Sequence, residues 1–546
     1  MKEWWIVKIS KILLHNYKLF KDEVIHVNPD YNIFVGNNDS GKSTLLEAIQ
    51  TVISGKLNNY SFERQLKASC FNQQIRDEFR KKLDQKNIDE LPKIIVEVYL
   101  NDDGINSELK GTNNSLGEDC PGIRMSVNFN SIYADAFKTM LDAEEIYDIP
   151  VEFYEVKWTD FSGDPVVFRT LPFKVSLLDT TKKDYSNSVN RFVNSSVAEH
   201  LTDEEKASLA RNYRKMKFDF NSNESVKNLN DRIEKNVRLD DKKIKLGIKE
   251  EVLDAWKNEV SIDVEAIPFE DIGFGSQNLI KMELVLNEES QKSNFILFEE
   301  PENNLSFSNM SKLISKIKNE ESKQVFISTH SSFVANKIGL QNIILLHEGN
   351  ITPLNQVNQE TMDFFMKLPG YNTVRFLLAE KVILVEGPTD ELIVQRAYFD
   401  RYGKLPIEDG TDIITVDSLA FKRYCDLAIL VGKSINIVTD NDGDIEENIH
   451  QKYRDYLNKY DFIQVFYEKN ESLYSLEPSM YDVNEKDQET LKRFKEAISK
   501  SGSMRDKSRE EVIKFMENNK AEWGLRVFDF KEKVEFPDYI NNAIKK

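Results

Sequence analysis

The chain of 546 residues contains little cysteine and no long hydrophobic run. Its three cysteines, Cys70, Cys120 and Cys425, are far apart and lack the spacing of metal ligands. Sparse cysteine is typical of a reducing cytosol, so we expect a cytoplasmic location. No run of about 18 apolar residues occurs, and no membrane span is therefore predicted. The N-terminal segment lacks the layout of a signal peptide, because charged residues interrupt its apolar positions.

The chain also lacks an excess of basic residues, since 73 Lys and Arg against 92 Asp and Glu give a net charge of −19. Taken alone, this charge argues against a nucleic-acid partner. The argument is weak, because acidic residues at metal sites and outer faces can coexist with a basic groove. Candidate basic stretches are Arg211–Lys217, Lys242–Lys249 and Lys500–Arg509, although each is more often a solvated helix face. The length and a hydrophobic content of 40% predict several domains with large cores.

Residues 36–43 predict a phosphate-binding loop. They read GNNDSGKS, which fits G-x-x-x-x-G-K-[ST], and they lie between an apolar, β-prone run and a segment with helical spacing. Glycines let backbone N–H groups converge on an anion, and the N-terminus of the following helix adds its positive dipole end. We therefore expect an ATP site, in which Lys42 reaches the β- and γ-phosphates and Ser43 holds Mg²⁺. The other residues expected to contact the nucleotide are Gly36, Asn37, Asn38, Gly41 and Thr44. The flanking pattern disfavours an ordinary glycine turn.

Three later pieces continue this pattern. An apolar run ends in Glu299 and Glu300, as expected of a buried strand that delivers acids to the carboxyl edge of an α/β sheet. Glu299 is predicted to join the Mg²⁺ shell, and Glu300 to orient or deprotonate the attacking water. A second strand ends on His330, a candidate sensor of the γ-phosphate. Gly273 and Gly275 precede a helix-like run and form a weaker phosphate-binding candidate, for a phosphate presented by a second copy of the domain.

These four pieces, in this order, resemble the ATPase head of the ABC superfamily, in the branch of structural-maintenance and recombination-repair heads. The resemblance covers about residues 1–350. It implies an α/β ATPase domain in two parts, 1–180 and 259–350, around a helical insertion at 181–258. The insertion has dense charge and helical apolar spacing without sustained heptads, so it is either a dimerisation element or a simple lid. Two departures put fast ATP turnover in doubt, a glutamate in place of the Walker B aspartate and an incomplete signature motif.

A second chemical centre is predicted within residues 379–546, after a linker at 351–378. One apolar strand ends in Glu386 and is followed by a helix that carries Asp390, and a later strand ends in Asp440 and Asp442. Such strand tips can converge at one sheet edge, where several carboxylates cannot all stay charged without cations. Hard oxygen ligands favour Mg²⁺ or Mn²⁺. The alternative for the aspartates alone is a solvated turn or a calcium loop.

The strand ending in Val-Glu-Gly, followed by Asp-x-Asp on a later strand, resembles the Toprim domain of topoisomerases, primases and certain nucleases. An ATPase head followed by Toprim resembles the OLD (overcoming lysogenization defect) nuclease family, and within it the Gabija-type nuclease subunits. The resemblance implies a further metal ligand at Glu477 and a lysine, Lys520, that stabilises charge on the phosphate. It also implies a homo-oligomer (dimer or tetramer), a UvrD-like helicase partner and a role in bacterial anti-phage defence.

The leading hypothesis is a nucleotide-regulated, divalent-metal-dependent DNA endonuclease. In it Glu386 is a metal ligand or general base, the aspartates bind metal, and Lys520 offsets developing charge. One alternative is a Toprim nuclease that targets RNA, such as tRNA, in abortive infection. Another is an ATP-dependent DNA-binding repair scaffold that does not cleave, although no long coiled-coil arm supports a clamp.

Overall fold

The computed structural model describes residues 7–57, 60–84, 91–101, 107–180, 201–236, 245–247, 263–287, 293–320, 322–347, 350–368, 372–416, 420–457 and 459–545. Contacts divide the chain into two compact units. The first unit comprises residues 1–30 and 43–328, and the second comprises 31–42 and 329–546. Among the described residues, none of the helices combines the length and the apolar character that crossing a bilayer requires.

The described residues form both strands and helices throughout the chain. The strands are β1 (Ile9–Tyr17), β2 (Phe20–His26), β3 (Tyr31–Gly36), β4 (Lys56–Leu57), β5 (Tyr60–Ser61), β6 (Ile94–Leu100), β7 (Lys110–Gly111), β8 (Cys120–Phe129), β9 (Tyr154–Asp160), β10 (Lys174–Asp179), β11 (Asp263–Val264), β12 (Ile267–Pro268), β13 (Ser293–Glu299), β14 (Gln324–Ser328), β15 (Ile343–His347), β16 (Asn350–Pro353), β17 (Lys381–Val385), β18 (Thr411–Thr415), β19 (Ile435–Val438) and β20 (Ile463–Phe466). The α-helices are α1 (Lys42–Ser54), α2 (Gln73–Asp84), α3 (Ala134–Asp142), α4 (Asp203–Ser222), α5 (Glu224–Asn236), α6 (Phe274–Asn287), α7 (Phe307–Lys318), α8 (Ser332–Ile338), α9 (Gln359–Lys367), α10 (Thr373–Leu378), α11 (Pro388–Tyr402), α12 (Phe421–Val431), α13 (Leu476–Asn484), α14 (Gln488–Ile498), α15 (Arg509–Asn518), α16 (Lys520–Asp529) and α17 (Asp538–Ala543).

The first unit contains an antiparallel sheet in the order β2-β1-β6-β8-β7, with β9 also paired to β8. Every residue of the central strand β6 is buried, including Glu97. A buried charge needs partners. Glu97 has them, because it accepts hydrogen bonds from the backbone and hydroxyl of Ser115 and lies 3.2 Å from Arg124.

The first unit also contains the parallel neighbours β10, β13 and β14. The four apolar residues of β13, Phe295–Phe298, are fully buried, as expected of a parallel strand covered on both faces. The parallel register aligns Asp179, Glu299 and Ser328 at one edge. The acid-tipped strand predicted from sequence is therefore present, with Glu299 as its last residue.

Two expectations about the first unit need qualification. The apolar run at residues 166–173 (VVFRTLPF) predicts a further strand from its composition. This prediction is wrong, because the chain turns at residues 167–170, where the N–H of Thr170 donates to the carbonyl of Val167, 2.9 Å away. Pro172 then removes a backbone donor from the segment. In the predicted helical insertion, α4 and α5 are helices as expected, whereas residues 181–200, 237–244 and 248–258 lie outside the described residues.

The second unit contains β3 paired in parallel with β15, which is antiparallel to β16. It also contains a parallel sheet in the order β18-β17-β19-β20. Helix α11 connects β17 to β18, and α12 connects β18 to β19, so each crossover is the βαβ unit that parallel strands require. The C-terminal helices pack with this sheet in one apolar core that includes Trp523. The segment predicted as a linker contains α9 and α10.

Candidate functional site

The predicted phosphate-binding loop follows β3, and α1 begins at Lys42 within it. The loop is tight at its first glycine. A Cβ on Gly36 would lie 2.2 Å from the hydroxyl of Ser40 and 2.6 Å from the carbonyl oxygen of Leu346. Gly41 has a φ of +99°, which L side chains rarely adopt. Side chains are thus excluded where the backbone must curve toward an anion.

Lys42 is buried inside this loop. Its Nζ donates to the carbonyl oxygens of Gly36 at 3.0 Å and Asn37 at 2.9 Å. The ammonium group therefore lies in the hollow of the loop, close to where a phosphate oxygen would bind. Asn37 and Asn38 are exposed on the same loop, and Thr44 is half-buried on the first turn of α1.

His330 lies on the turn after β14, in the same unit as residues 31–42. The N–H of Thr329 donates to the carbonyl oxygen of Phe34 in β3, 3.2 Å away, so this turn is anchored to the strand that leads into the phosphate-binding loop. Ser331 then caps α8 by accepting from the N–H of Val334. This anchoring to β3 supports the predicted sensing of a γ-phosphate by His330.

Within the first unit, the structure brings Ser43 and Glu299 together, and the serine hydroxyl donates to the glutamate carboxylate. These are the two side chains expected to share Mg²⁺, and both supply hard oxygen ligands. Glu300 has a φ of +46°, and its carboxylate accepts from the side-chain amide of Asn303 at 2.8 Å. The two neighbouring glutamates therefore have different hydrogen-bond partners, Ser43 for Glu299 and Asn303 for Glu300.

The glycines predicted to form the signature motif lie at the start of α6, in the first unit. The backbone amides of Ser276 and Gln277 donate to the carbonyl oxygen of Gly273. A Cβ on Gly275 would lie 2.3 Å from the carbonyl oxygen of Asn304, so this glycine is needed for close approach to the turn after β13. Around Gly273 a Cβ would meet nothing within 4 Å.

The second centre lies at the carboxyl edge of the parallel sheet of the second unit. Val385 and Val438 are register partners, so the residues that follow β17 and β19 leave the sheet at the same edge. Glu386 follows β17, and its carboxylate accepts a hydrogen bond from the hydroxyl of Thr439, the residue before Asp440. The two predicted strand tips therefore converge as the sequence indicated.

Two helices bring further carboxylates to this edge. Asp390 lies in the first turn of α11 and accepts from the N–H of Gly387 at 3.1 Å. Glu477 lies in the first turn of α13, is 2% exposed, and accepts from the hydroxyl of Ser475 at 2.9 Å. Helix N-termini favour such negative charges.

The carboxylates influence one another strongly. Burial, followed by the charges of Asp390, Glu386, Glu477 and Asp442, raises the pKa of Asp440 to about 9. Burial, followed by the charges of Glu386 and Glu477, raises the pKa of Asp390 to about 7. Five acids thus share one neighbourhood, and burial and repulsion there disfavour the ionisation of Asp440 and Asp390.

The chemistry of its donor atoms, rather than a complete coordination shell, is what suits this cluster to a divalent metal ion. Among the described residues, no three His, Cys, Asp or Glu side chains lie in an arrangement that could hold a metal ion as they stand. The donors are nevertheless the hard oxygens that Mg²⁺ and Mn²⁺ prefer, and a cation would relieve their repulsion. The side chains would have to move to complete the coordination. Glu386, Asp390, Asp440, Asp442 and Glu477 would hold the ion.

Lys520 is the first residue of α16, and its side chain is 61% exposed. Its Nζ lies 3.9 Å from the carboxylate of Glu477. The structure therefore places the predicted lysine at the rim of the acidic cluster, with its ammonium group open to solvent. Its proposed role on a phosphate is consistent with this position.

Asn441, between the two aspartates, is a residue whose importance the sequence reasoning missed. It is fully buried, donates to the carbonyl oxygens of Glu468 and Asn470, and accepts from the N–H of Gly443 at 2.9 Å. These bonds fix the loop that carries Asp440 and Asp442. The available signal was an amide between two acids directly after a strand, because asparagine often bonds the backbone of its own turn.

Two further residues hold α16, and thereby Lys520, against α11. A Cβ on Gly524 would lie 3.1 Å from Cγ2 of Thr389, the neighbour of Asp390. Arg396, which is 5% exposed, donates to several carbonyl oxygens at and after the end of α16. A glycine inside a helical pattern hinted at close packing. No local signal identified the arginine.

Comparison with known proteins agrees with this two-part organisation. Residues 8–335 match the family model described as "AAA ATPase domain". Residues 377–442 match the model described as "Overcoming lysogenization defect protein-like, TOPRIM domain". The protein is thus an ATPase head joined to a Toprim domain, in a mixed α/β fold. The first match covers more than half of the chain, and the chain belongs to the AAA ATPase domain family. The two matches in this order are the arrangement of an OLD family nuclease.

Curated relatives match over a short stretch. The chain is 35% identical over 60 residues to the DNA replication and repair protein RecF of Staphylococcus carnosus (strain TM300) and 33% identical over 60 residues to that of Staphylococcus haemolyticus (strain JCSC1435). In each case the match covers 11% of this chain and 16% of the relative. The chain thus spans only about a sixth of the length of these relatives.

Solved structures of similar heads were also found. An SMC head bound to the C-winged helix domain of ScpA has a TM-score of 0.32 and 16% identity, covering 62% of this chain and 94% of that one. The recombination mediator protein RecF with ATP has a TM-score of 0.33 and 13% identity, covering 64% of this chain and 100% of that one.

Proposed function

We propose that this protein is a nucleotide-regulated, divalent-metal-dependent DNA endonuclease that acts in the cytoplasm in bacterial anti-phage defence. The observation that carries the proposal is the convergence of Glu386, Asp390, Asp440, Asp442 and Glu477 at one sheet edge, with Lys520 beside them. A cluster of acids that disfavours its own ionisation suits a cation-dependent reaction. The DNA substrate, the defence role, homo-oligomer formation and a UvrD-like helicase partner rest on the resemblance to Gabija-type nucleases.

The residues divide the chemistry among them. Divalent ions bound at the acidic cluster would supply Lewis-acid activation of a phosphodiester and of water. Asp440, Asp442 and Glu477 would hold these ions. Glu386, which is half-buried and accepts a hydrogen bond from Thr439, would either bind a metal ion or accept the proton of the attacking water. Lys520, exposed at the rim, offsets the negative charge that develops on the phosphate.

The ATPase head provides the regulation in this proposal. The phosphate-binding loop and His330 would respond to the γ-phosphate, while Ser43 and Glu299 would hold Mg²⁺ and Glu300 would orient the water for slow hydrolysis. Two nucleotide-dependent states of the head would then permit or restrain cleavage.

The test incubates purified protein with supercoiled DNA, linear DNA and tRNA in Mg²⁺ or Mn²⁺, with and without ATP. Asp440→Ala is compared with Asp455→Ala, because Asp455 is an exposed aspartate that pairs with Lys459, four residues later. We expect DNA cleavage that is lost in Asp440→Ala, retained in Asp455→Ala and abolished by EDTA. Cleavage of tRNA alone would replace the DNA substrate with RNA. Cleavage that survives Asp440→Ala would refute the assignment of the site.

A further inference from the structure

A short helix, α10, is held at its N-terminal end by the segment that follows His330. The hydroxyl of Thr373 donates to the side-chain oxygen of Asn336 in α8, and both residues are fully buried. The N–H of Val374 donates to the hydroxyl of Ser332 at 3.2 Å. Ser332 is the first residue of α8, two positions after His330. A shift of this segment would therefore pull on α10 directly.

The same helix contacts the Toprim sheet through the side chain of Arg375. Arg375 donates from Nε to Oδ2 of Asp412 at 2.6 Å and from Nη2 to Oδ1 at 2.5 Å, and it also donates to the carbonyl oxygen of Ile413. The side chain of Asp412 is 7% exposed. This two-pronged pair fixes direction as well as distance, because the guanidinium plane matches both carboxylate oxygens. Asp412 lies in β18, beside β17.

The far end of β18 contacts the helix that carries a predicted metal ligand. The hydroxyl of Thr415, the last residue of β18, donates to the carboxylate of Glu391 at 2.7 Å. Glu391 follows Asp390 in the first turn of α11. In register, Val382 of β17 is the partner of Asp412, and β17 ends immediately before Glu386. Thus β18 contacts two of the elements that bring acids to the cluster, β17 and α11.

We propose that α10 is the mechanical link through which nucleotide occupancy at His330 alters the position of the carboxylates at the Toprim edge. This inference rests on the proposed function and names the route of its regulation. The route runs within the second unit, from the turn at His330 through α8 and α10 to β18 and α11. Packed interiors transmit small displacements because they are nearly incompressible. Because α10 makes polar contacts with both α8 and β18, a shift of α8 is expected to move α10 and, with it, β18.

The test breaks the link at each end. Arg375→Gln removes the two-pronged pair, and Thr373→Val removes one hydroxyl from the other end with little change in shape. Lys459→Gln is the matched control, because Lys459 pairs with Asp455 at 3.4 Å and both side chains are more than half exposed. DNA cleavage is measured with and without a non-hydrolysable ATP analogue, along with nucleotide affinity and melting temperature. Thr373→Val keeps the test valid if Arg375→Gln folds poorly.

In the wild type and in Lys459→Gln, the analogue is expected to change the cleavage rate by about fivefold or more, the usual lower range of allosteric coupling. In Arg375→Gln and Thr373→Val this ratio is expected to approach one, while cleavage without nucleotide and nucleotide affinity stay within about twofold of wild type. A wild-type ratio of one, or a full ratio in both folded variants, would overturn the inference.

A second readout separates this inference from the proposed nuclease activity. Hydrogen exchange of the backbone amides at residues 374–385 is compared with and without the analogue. We expect the analogue to change this exchange in the wild type and not in Arg375→Gln. If the exchange shows this pattern but no DNA is cleaved, the proposed nuclease activity is refuted while the proposed role of α10 stands. Exchange that does not respond in the wild type would refute the link whatever the cleavage result.

Discussion

Replacement of Arg396 by methionine is expected to release the C-terminal end of α16. The guanidinium group of this buried residue donates to the backbone and to one carboxylate. Its acceptors are the carbonyl oxygens of Val527, Phe528, Phe530 and Glu532 at 2.5–2.9 Å and the carboxylate of Asp400 at 2.8 Å. Methionine preserves most of the volume of the stem and removes every one of these bonds. The change therefore isolates the contribution of the donors.

The expected loss of stability follows from the burial of the groups that accept hydrogen bonds from Arg396. Asp400 has a side chain that is only 15% exposed, and breaking a buried ion pair costs about 3–5 kcal/mol because the remaining charge is unpaired. The carbonyl oxygens lose bonds to a charged donor, worth about 1.5–3 kcal/mol each, but these losses overlap and do not add. We take about 3–5 kcal/mol as the total. Arg396→Lys should lose less, since an ammonium group replaces a planar fork with one point charge.

Hydrogen exchange of the amides in α16 measures this loss locally. At about 1.36 kcal/mol per factor of ten, a cost of about 3–5 kcal/mol predicts exchange that is faster by on the order of 100- to 5,000-fold, provided that the opened state closes faster than it exchanges. Arg505→Met is the control, because Arg505 pairs with Glu496 at 2.7 Å on the surface. Such an exposed pair is worth about 0–1 kcal/mol and should change exchange by less than about fivefold. Exchange in Arg396→Met within about tenfold of wild type would refute the argument that this arginine holds α16.

Three further predictions concern the two sites. Lys42→Ala is expected to weaken ATP binding by at least about tenfold in a fluorescence titration, since it removes a charge-assisted phosphate contact. The control, Lys56→Ala, replaces an exposed lysine and should leave ATP affinity unchanged. Unchanged affinity in Lys42→Ala would argue against the phosphate-binding loop. Asp440→Asn is expected to abolish cleavage. It is also expected to raise the melting temperature in EDTA near pH 7, because Asp440, whose pKa burial and its acidic neighbours raise to about 9, must take up a proton on folding whereas asparagine need not. A lower melting temperature would contradict the raised pKa. Gly524→Val is expected to slow cleavage without changing ATP affinity, because its side chain meets Thr389 and displaces α16; full activity would show that α16 need not lie so close.

The local patterns of the sequence predicted the elements that carry chemistry. The phosphate-binding loop, the strand ending at Glu299 and the strands preceding Glu386 and Asp440 are all present, because each combines an apolar run with residues that end it. Convergence of Glu386 and Asp440 was also predictable, since adjacent parallel strands end at the same edge. Glu477 and Lys520 depended on resemblance, as nothing in their local sequence distinguishes them from surface residues.

The missed features depend on contacts between distant segments. Arg396 acts on carbonyl groups more than 100 residues later, and Arg375 acts on a carboxylate in another element. Neither contact has a periodic signature, because a single long side chain makes it. The strand prediction for the segment at residues 166–173 was wrong for a different reason. Its composition favours a strand, but a turn and Pro172 oppose pairing, and local hydrogen bonding prevailed.

The acidic cluster explains why these distant contacts are needed. Asp440 and the four carboxylates around it repel one another, and burial adds to the cost of charging Asp440, so the elements that carry them tend to move apart when no cation is bound. Asn441 opposes this tendency by fixing the aspartate loop, and Arg396 opposes it by holding α16 to α11. Arg375 adds a bond from β18 to α10, outside the cluster. The cluster can then remain assembled while its geometry stays sensitive to small shifts of the surrounding helices, which is what control by a nucleotide requires.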